Sequence, residues 1–121
     1  MRSKGRHVTL DYSGFKGDGD WVLKILQAAV SRSNAREVHA HVAQFDGSQS
    51  PLGFAAVVLI DESHVSAHCY ADEGILAVDC FTCGGVDPAD IADDIHMQLT
   101  DSIPSIKLVQ RTKLDRFVMG E

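Results

Sequence analysis

Residues 54–81, Phe-Ala-Ala-Val-Val-Leu-Ile-Asp-Glu-Ser-His-Val-Ser-Ala-His-Cys-Tyr-Ala-Asp-Glu-Gly-Ile-Leu-Ala-Val-Asp-Cys-Phe, set three apolar stretches between two short polar breaks. Phe54–Ile60 is a continuous apolar run. It predicts a central strand buried on both faces, or one whose second face meets another copy of the chain. Asp61-Glu62 interrupts it, and a second strand is expected from about His64 to Tyr70. Ala71-Asp72-Glu73-Gly74 turns the chain into a third strand, Ile75–Phe81.

Outward from this core, Glu37–Phe45 alternates, with Val38, Ala40 and Val42 on one side and His39, His41 and Ala43 on the other. A turn-rich loop, residues 46–53, follows it. Arg6–Tyr12 reads as a first strand. Gly14, Gly17 and Gly19 then mark a loop, and Asp18 or Asp20 can cap a helix beginning near Trp21. Trp21, Ile25 and Ala28 or Ala29 share that helix's apolar side, with Trp21 as a core anchor. Asp87-Pro88 opens a second helix running to about Thr100, with Ile91, Ile95 and Leu99 in a stripe. Ile106–Gln110 is a last strand, and residues 112–121 give no clear element. The order βαβββ(β)αβ implies an α+β fold: a two-layer α/β sandwich, mostly antiparallel, with two helices on one face of the sheet.

At 121 residues the chain makes one domain, 1–121, with a single core. Its hydrophobic share of 45% and charged share of 23% are ordinary for a soluble protein. A net charge of −6 argues against a nucleic-acid partner, which usually demands a basic patch. No apolar run reaches the roughly 20 residues that span a bilayer, and Met1–Arg6 opens no signal-peptide stretch, so no membrane role is expected. Three cysteines, Cys69, Cys80 and Cys83, are an odd number. Strand alternation through Val78, Cys80 and Thr82 puts Cys80 and Cys83 on opposite faces. A reduced, cytoplasmic protein is the simplest reading. His39 and His41 lie two apart on a strand, but no third ligand accompanies them and no metal is expected.

Within residues 61–84, Glu62-Ser63-His64, His68 and Phe81-Thr82-Cys83-Gly84 supply a hydroxyl after an acid, an imidazole and a thiol. Singly, a Ser-His pair is ordinarily surface decoration and a strand cysteine ordinarily packing. Together, in this spacing and with these flanks, they resemble the self-cleavage and active-site region of bacterial and archaeal S-adenosylmethionine decarboxylases. That pattern runs Glu-Ser-His-x-x-x-His … Asp-x-Phe-Thr-Cys-Gly. Gly5-Arg6-His7 and the chain length fit the same family.

The resemblance implies that Ser63 attacks the carbonyl of Glu62 and converts the amide to an ester. Elimination would then split the chain into 1–62 (β chain) and 63–121 (α chain), leaving pyruvate as a covalent pyruvoyl group made from Ser63. A strained turn before Ser63 would favour the shift. His68 matches the family's processing histidine. On an alternating strand residues 63 and 68 point to opposite faces, so a bend or bulge near 64–66 is expected to bring them together. The pyruvoyl group would form a Schiff base with an amino-acid substrate and act as an electron sink. Cys83 matches the thiol that protonates the product carbon. A homodimer is also implied, each protomer lending residues to the other's site.

The chain departs from the family pattern before and after the cleavage strand. Gln49 stands where an aromatic ring usually stacks on adenine, and Ala55 replaces a serine that assists processing. After His68, Tyr70-Ala71-Asp72-Glu73-Gly74-Ile75 replaces Trp/Phe-Pro-Glu-x-Gly-Tyr, so the ribose-binding acid becomes Asp72. With Asp46, Asp72 and Glu73 in these loops, the expected binding residues Gln49, Tyr70, Asp72 and Glu73 favour a flexible cationic side chain. L-Ornithine or L-arginine is therefore the leading substrate at this level, ahead of S-adenosylmethionine. Loss of the serine hydroxyl at the position Ala55 occupies also admits a non-catalytic regulatory subunit, against which the retention of Ser63, His68 and Cys83 counts.

Overall fold

The structure, a computed structural model, describes residues 2–120. Eight elements follow in order: β1 (Arg2–Ser13), α1 (Gly19–Ser31), β2 (Glu37–Phe45), β3 (Gly53–Ile60), β4 (Ser63–Tyr70), β5 (Ile75–Cys83), α2 (Pro88–Ser102) and β6 (Lys107–Met119). The strands form one sheet in the order β2-β3-β4-β5-β1-β6, every neighbouring pair antiparallel. Strands β2 to β5 zigzag through short connections, and β1 inserts between β5 and the C-terminal β6. Helix α1 packs on β2 and β3, α2 on β1 and β5, and the helices touch each other. The result is the expected two-layer α+β sandwich.

Local chemistry sets the helix starts. Of the two aspartates that can cap α1, Asp18 does so: its carboxylate accepts the Trp21 backbone N–H at 2.9 Å, while Asp20 sits in the first turn. Asp87 accepts the Ala89 N–H at 3.0 Å, ahead of a helix with Pro88 at its start. Each cap satisfies an N–H that the helix leaves unpaired, worth about 1 kcal/mol.

Period-2 alternation sends one set of strand side chains under the helices. Val8, Leu10, Tyr12, Phe54, Ala56, Val58, Ile60, Val65, Ala67, Leu76, Val78 and Cys80 are buried there against Val22, Leu26, Ile91, Ile95 and Leu99. Trp21 is partly buried against the same core. Burying each large side chain contributes about 1.5–3 kcal/mol before entropy is counted.

Four expectations change. The apolar run Phe54–Ile60 is not buried on both faces. Phe54, Ala56, Val58 and Ile60 are buried, whereas Leu59 on the other face is 42% exposed. The last strand extends to Met119 rather than stopping near Gln110. It pairs along β1 from Arg2↔Met119 to Ser13↔Lys107, and β1 itself begins earlier than Arg6. The backbone ladder holds this edge strand while most of its side chains stay in solvent. Its interleaved charges, Lys107, Arg111, Lys113, Asp115 and Arg116, hid it from a hydrophobicity pattern and blunt the edge against further pairing. Val38, expected on the packed side, is 56% exposed beside a register shift between Glu37 and His39.

Candidate active site

Chemistry-bearing side chains gather at two ends of the sheet, with His68 on the helix-free face and Ser63 on the alternate, covered side of β4. At one end β3 turns into β4 through Asp61-Glu62, with Ile60 opposite Ser63. Asp61 adopts φ of 52°, a left-handed conformation that aspartate tolerates better than bulky residues. Arg36 Nη2 donates to its Oδ1 at 2.6 Å. The strained turn expected before Ser63 is therefore present, one residue ahead of Glu62. Ser63 is 7% exposed, and its Oγ accepts the backbone N–H of Cys83 at 3.0 Å.

Cys83 ends β5, and Gly84 at φ of 69° lets the chain leave the sheet there. The Cα of Gly5 faces Cys83 across the β1–β5 pair. A Cβ at position 5 would sit 3.0 Å from the Phe81 ring and 3.4 Å from the Cys83 sulfur, so the glycine keeps that approach free. All three cysteines are free thiols, and the alternation separates Cys80 from Cys83 as expected. Cys80 is fully buried, its pKa pushed up to about 12 by burial, then by Asp79, against a smaller opposing effect of Arg111. Cys83 is partly exposed and lines an open cleft of about 670 Å³ with Ser3, Lys4, Glu62, Gly84 and Phe117. Of the two, only Cys83 can meet a substrate.

The other end holds the remaining expected residues. His68 is exposed on the helix-free face, opposite Ala55 on β3 and Ala77 on β5. With Phe45, Ser50, Pro51, Ala55 and Tyr70 it lines a depression of about 260 Å³. Gln49 lies in the exposed loop between β2 and β3, and Asp72 and Glu73 in the exposed β4–β5 turn. In that loop Ser48 donates through both N–H and Oγ to Asp46, holding its carboxyl below the usual carboxylate range.

No bend joins the two ends. The β3–β4 register runs unbroken from Gly53↔Tyr70 to Ile60↔Ser63, and β4–β5 is equally regular. The bulge expected near residues 64–66 is absent, because both neighbouring strands hydrogen-bond β4 in continuous register. Ser63 and His68 thus lie on opposite faces, and Ser63 and Tyr70 are roughly 23 Å apart along the strand at 3.3 Å per residue. One protomer brings Ser63, Glu62 and Cys83 together; it does not bring Gln49, His68, Tyr70, Asp72 or Glu73 to them.

Beside the Ser63 end lies a cluster that sequence reading did not assemble. His7 Nε2 is 3.0 Å from Asp79 Oδ1, and the His7 ring meets His64 and Phe81 at 6.3 and 5.9 Å. Burial, and then His7, lower the pKa of His64, while Asp79 opposes them. His7 Nδ1 is buried without a partner among the described residues. The signal was Asp79, a charge inside an otherwise apolar strand. Phe117 was missed as well, since no element was assigned to its segment.

The chain is similar to known proteins over most of its length. Residues 6–112 match the family model described as S-adenosylmethionine decarboxylase. A proenzyme of that name from Symbiobacterium thermophilum is 33% identical over 112 residues, covering 88% of this chain and 82% of the relative. One from Bacillus velezensis is 34% identical over 113 residues, 85% of each chain. The crystal structure of the adenosylmethionine decarboxylase from Aquifex aeolicus superposes with a TM-score of 0.74 at 27% identity, covering 100% of this chain and 97% of that one.

Proposed function

The chain belongs to the S-adenosylmethionine decarboxylase family, and from that premise we propose that it cuts its own backbone between Glu62 and Ser63 and then decarboxylates S-adenosylmethionine for polyamine synthesis. Family members are pyruvoyl-dependent lyases, and relatives over most of the chain bear the name proenzyme. The observation that carries the reading is the Ser63 hydroxyl, held by the Cys83 N–H at the end of a hairpin with a left-handed Asp61. That N–H fixes the oxygen beside the Glu62 peptide it must attack, and the strained turn raises the energy of the unshifted chain.

The residues around Ser63 fit the pyruvoyl group. Ser63 would carry it, the Cys83 N–H offers a donor at that position, and the cleft in front admits a small molecule. Once formed, the group supplies a carbonyl electron sink for loss of CO2. Cys83 then delivers a proton to the product carbon, a role that its position in the cleft allows and the burial of Cys80 denies.

His68 and Tyr70 act through a second copy. The helix-free face exposes Leu59 and places the far-end residues out of reach of Ser63 in one protomer. A two-fold partner stacked on that face, its strands reversed, would bring its far end over the near end of the first. This satisfies the homodimer with shared sites that the family resemblance implies.

On substrate, the relatives' names outweigh the earlier lean toward L-ornithine or L-arginine. The loop change at Gln49 does not leave the face without rings, since Phe45 and Tyr70 flank Pro51 beside His68. The second reading rests on the exposed Asp72 and Glu73, which suit a cationic side chain. Release of CO2 from each of the three amino acids by purified protein decides between them. S-Adenosylmethionine is expected to turn over, and turnover of ornithine or arginine alone would overturn the assignment. A regulatory subunit is the outcome if the protein stays uncut and inactive. No helix of the described residues is long and apolar enough to cross a membrane, and a cytoplasmic location accords with the reduced thiols.

A further inference from the structure

We propose that Phe117 is a specificity residue of this decarboxylase, its ring forming the wall of the cleft against which a planar heteroaromatic part of the substrate stacks. The inference rests on the substrate reading above and adds a site residue outside the family's motif segments.

Four observations converge on this ring. First, among the side chains lining the cleft beside Cys83 and Glu62, Phe117 is the one aromatic, and the ring is 62% exposed. Second, its backbone is at φ of 53°, a conformation that bulky residues rarely adopt and that persists where surroundings enforce it. Third, the β1–β6 ladder pairs Ser3 with Val118 and Gly5 with Arg116, with no pairing of Lys4 to Phe117 between them. Fourth, consecutive strand residues ordinarily point to opposite faces, yet Arg116 and Phe117 both reach Phe81. The guanidinium lies 5.9 Å from that ring's centroid, and the Phe117 ring 6.0 Å away at 45°.

The left-handed residue therefore breaks the alternation of β6 and turns an aromatic side chain onto the helix-free face at the mouth of the cleft. Phe81 backs one side of the ring. The exposed side faces a space whose other walls are a serine, a lysine, a glutamate, a thiol and a glycine. Of these, none offers a flat apolar surface, so a purine entering this end finds its stacking partner in Phe117. Ornithine or arginine side chains lack a comparable aromatic system, and the ring would do little for them.

The test uses binding to full-length Ser63→Ala protein, which keeps the chain uncut, with 5′-methylthioadenosine as the probe in calorimetry. Phe117→Ala in that background is expected to weaken binding roughly tenfold, the order lost with one base–aromatic stack, and Phe117→Trp to restore it. In the processed enzyme the same Phe117→Ala change should raise KM for S-adenosylmethionine by a similar factor while kcat stays within about threefold. Unchanged nucleoside affinity on losing the ring would overturn the inference while leaving the substrate reading intact. Absence of nucleoside binding even with Phe117 present would sink both. If Phe117→Ala instead shifts the dimer–monomer equilibrium and leaves affinity alone, the ring is an interface contact and the inference fails.

Discussion

The two faces of one sheet behave as different materials. Beneath the helices, Leu10, Val58, Val65 and Val78 are wholly or almost wholly buried, and this face carries the stability. On the other side the same strands present His7, His64, His68, Asp79 and Cys83 among small or half-covered residues such as Ala55, Val57 and Leu59. Each strand thus carries fold and chemistry on alternate residues. A change of one position along the chain moves a substitution from one property to the other.

The largest expected effect tests the chemical side. Cys83→Ala should lower turnover by about 10²- to 10⁴-fold, the usual worth of a positioned proton donor, while self-cleavage goes to completion. Loss of cleavage as well would show that the thiol belongs to processing. On the covered side, Ile95→Ala should cost about 2–5 kcal/mol in denaturant unfolding. Leu59→Ser on the open face should leave protomer stability within about 0.5 kcal/mol but dissociate the proposed dimer in sedimentation. Equal destabilisation by both would erase the distinction between the faces.

The turn at the sheet's end offers a finer probe. Asp61→Gly removes the left-handed penalty, which is about 1–2 kcal/mol for an average side chain and less for aspartate. If that strain promotes scission, the variant should be cut about two- to tenfold more slowly in a time course of denaturing gels; an unchanged rate would remove strain from the account. The smallest effect concerns acid. Folding lowers the pKa of His64, so the unfolded chain takes up that proton first as pH falls. The stability present above about pH 6.5 is then lost as pH drops through the lower folded value. Replacing His64 with Phe should flatten the dependence of unfolding midpoint on pH below about 7. A parallel curve would assign the slope to other groups.

What the sequence disclosed follows the same division. The covered face was legible because burial writes itself as period two in β4 and β5 and as the Ile91–Ile95–Leu99 stripe in α2. Ser63, Glu62 and Cys83 were legible through their flanks, and the structure sets them together. The bulge expected to bring His68 to Ser63 was misjudged, because a residue pattern does not show the unbroken register that β3 and β5 impose on β4. Strand β6 was curtailed because its pairing is made by the backbone while its side chains remain polar and exposed. Phe117 escaped for that reason, and because a reversal of φ has no hydrophobic signature.

Intact-mass measurement of the purified protein after prolonged incubation tests the central claim most directly. The account predicts two polypeptides, residues 1–62 and 63–121, the second beginning with a keto-acyl group in place of Ser63. A single full-length mass, or undiminished turnover by Ser63→Ala protein, would contradict it.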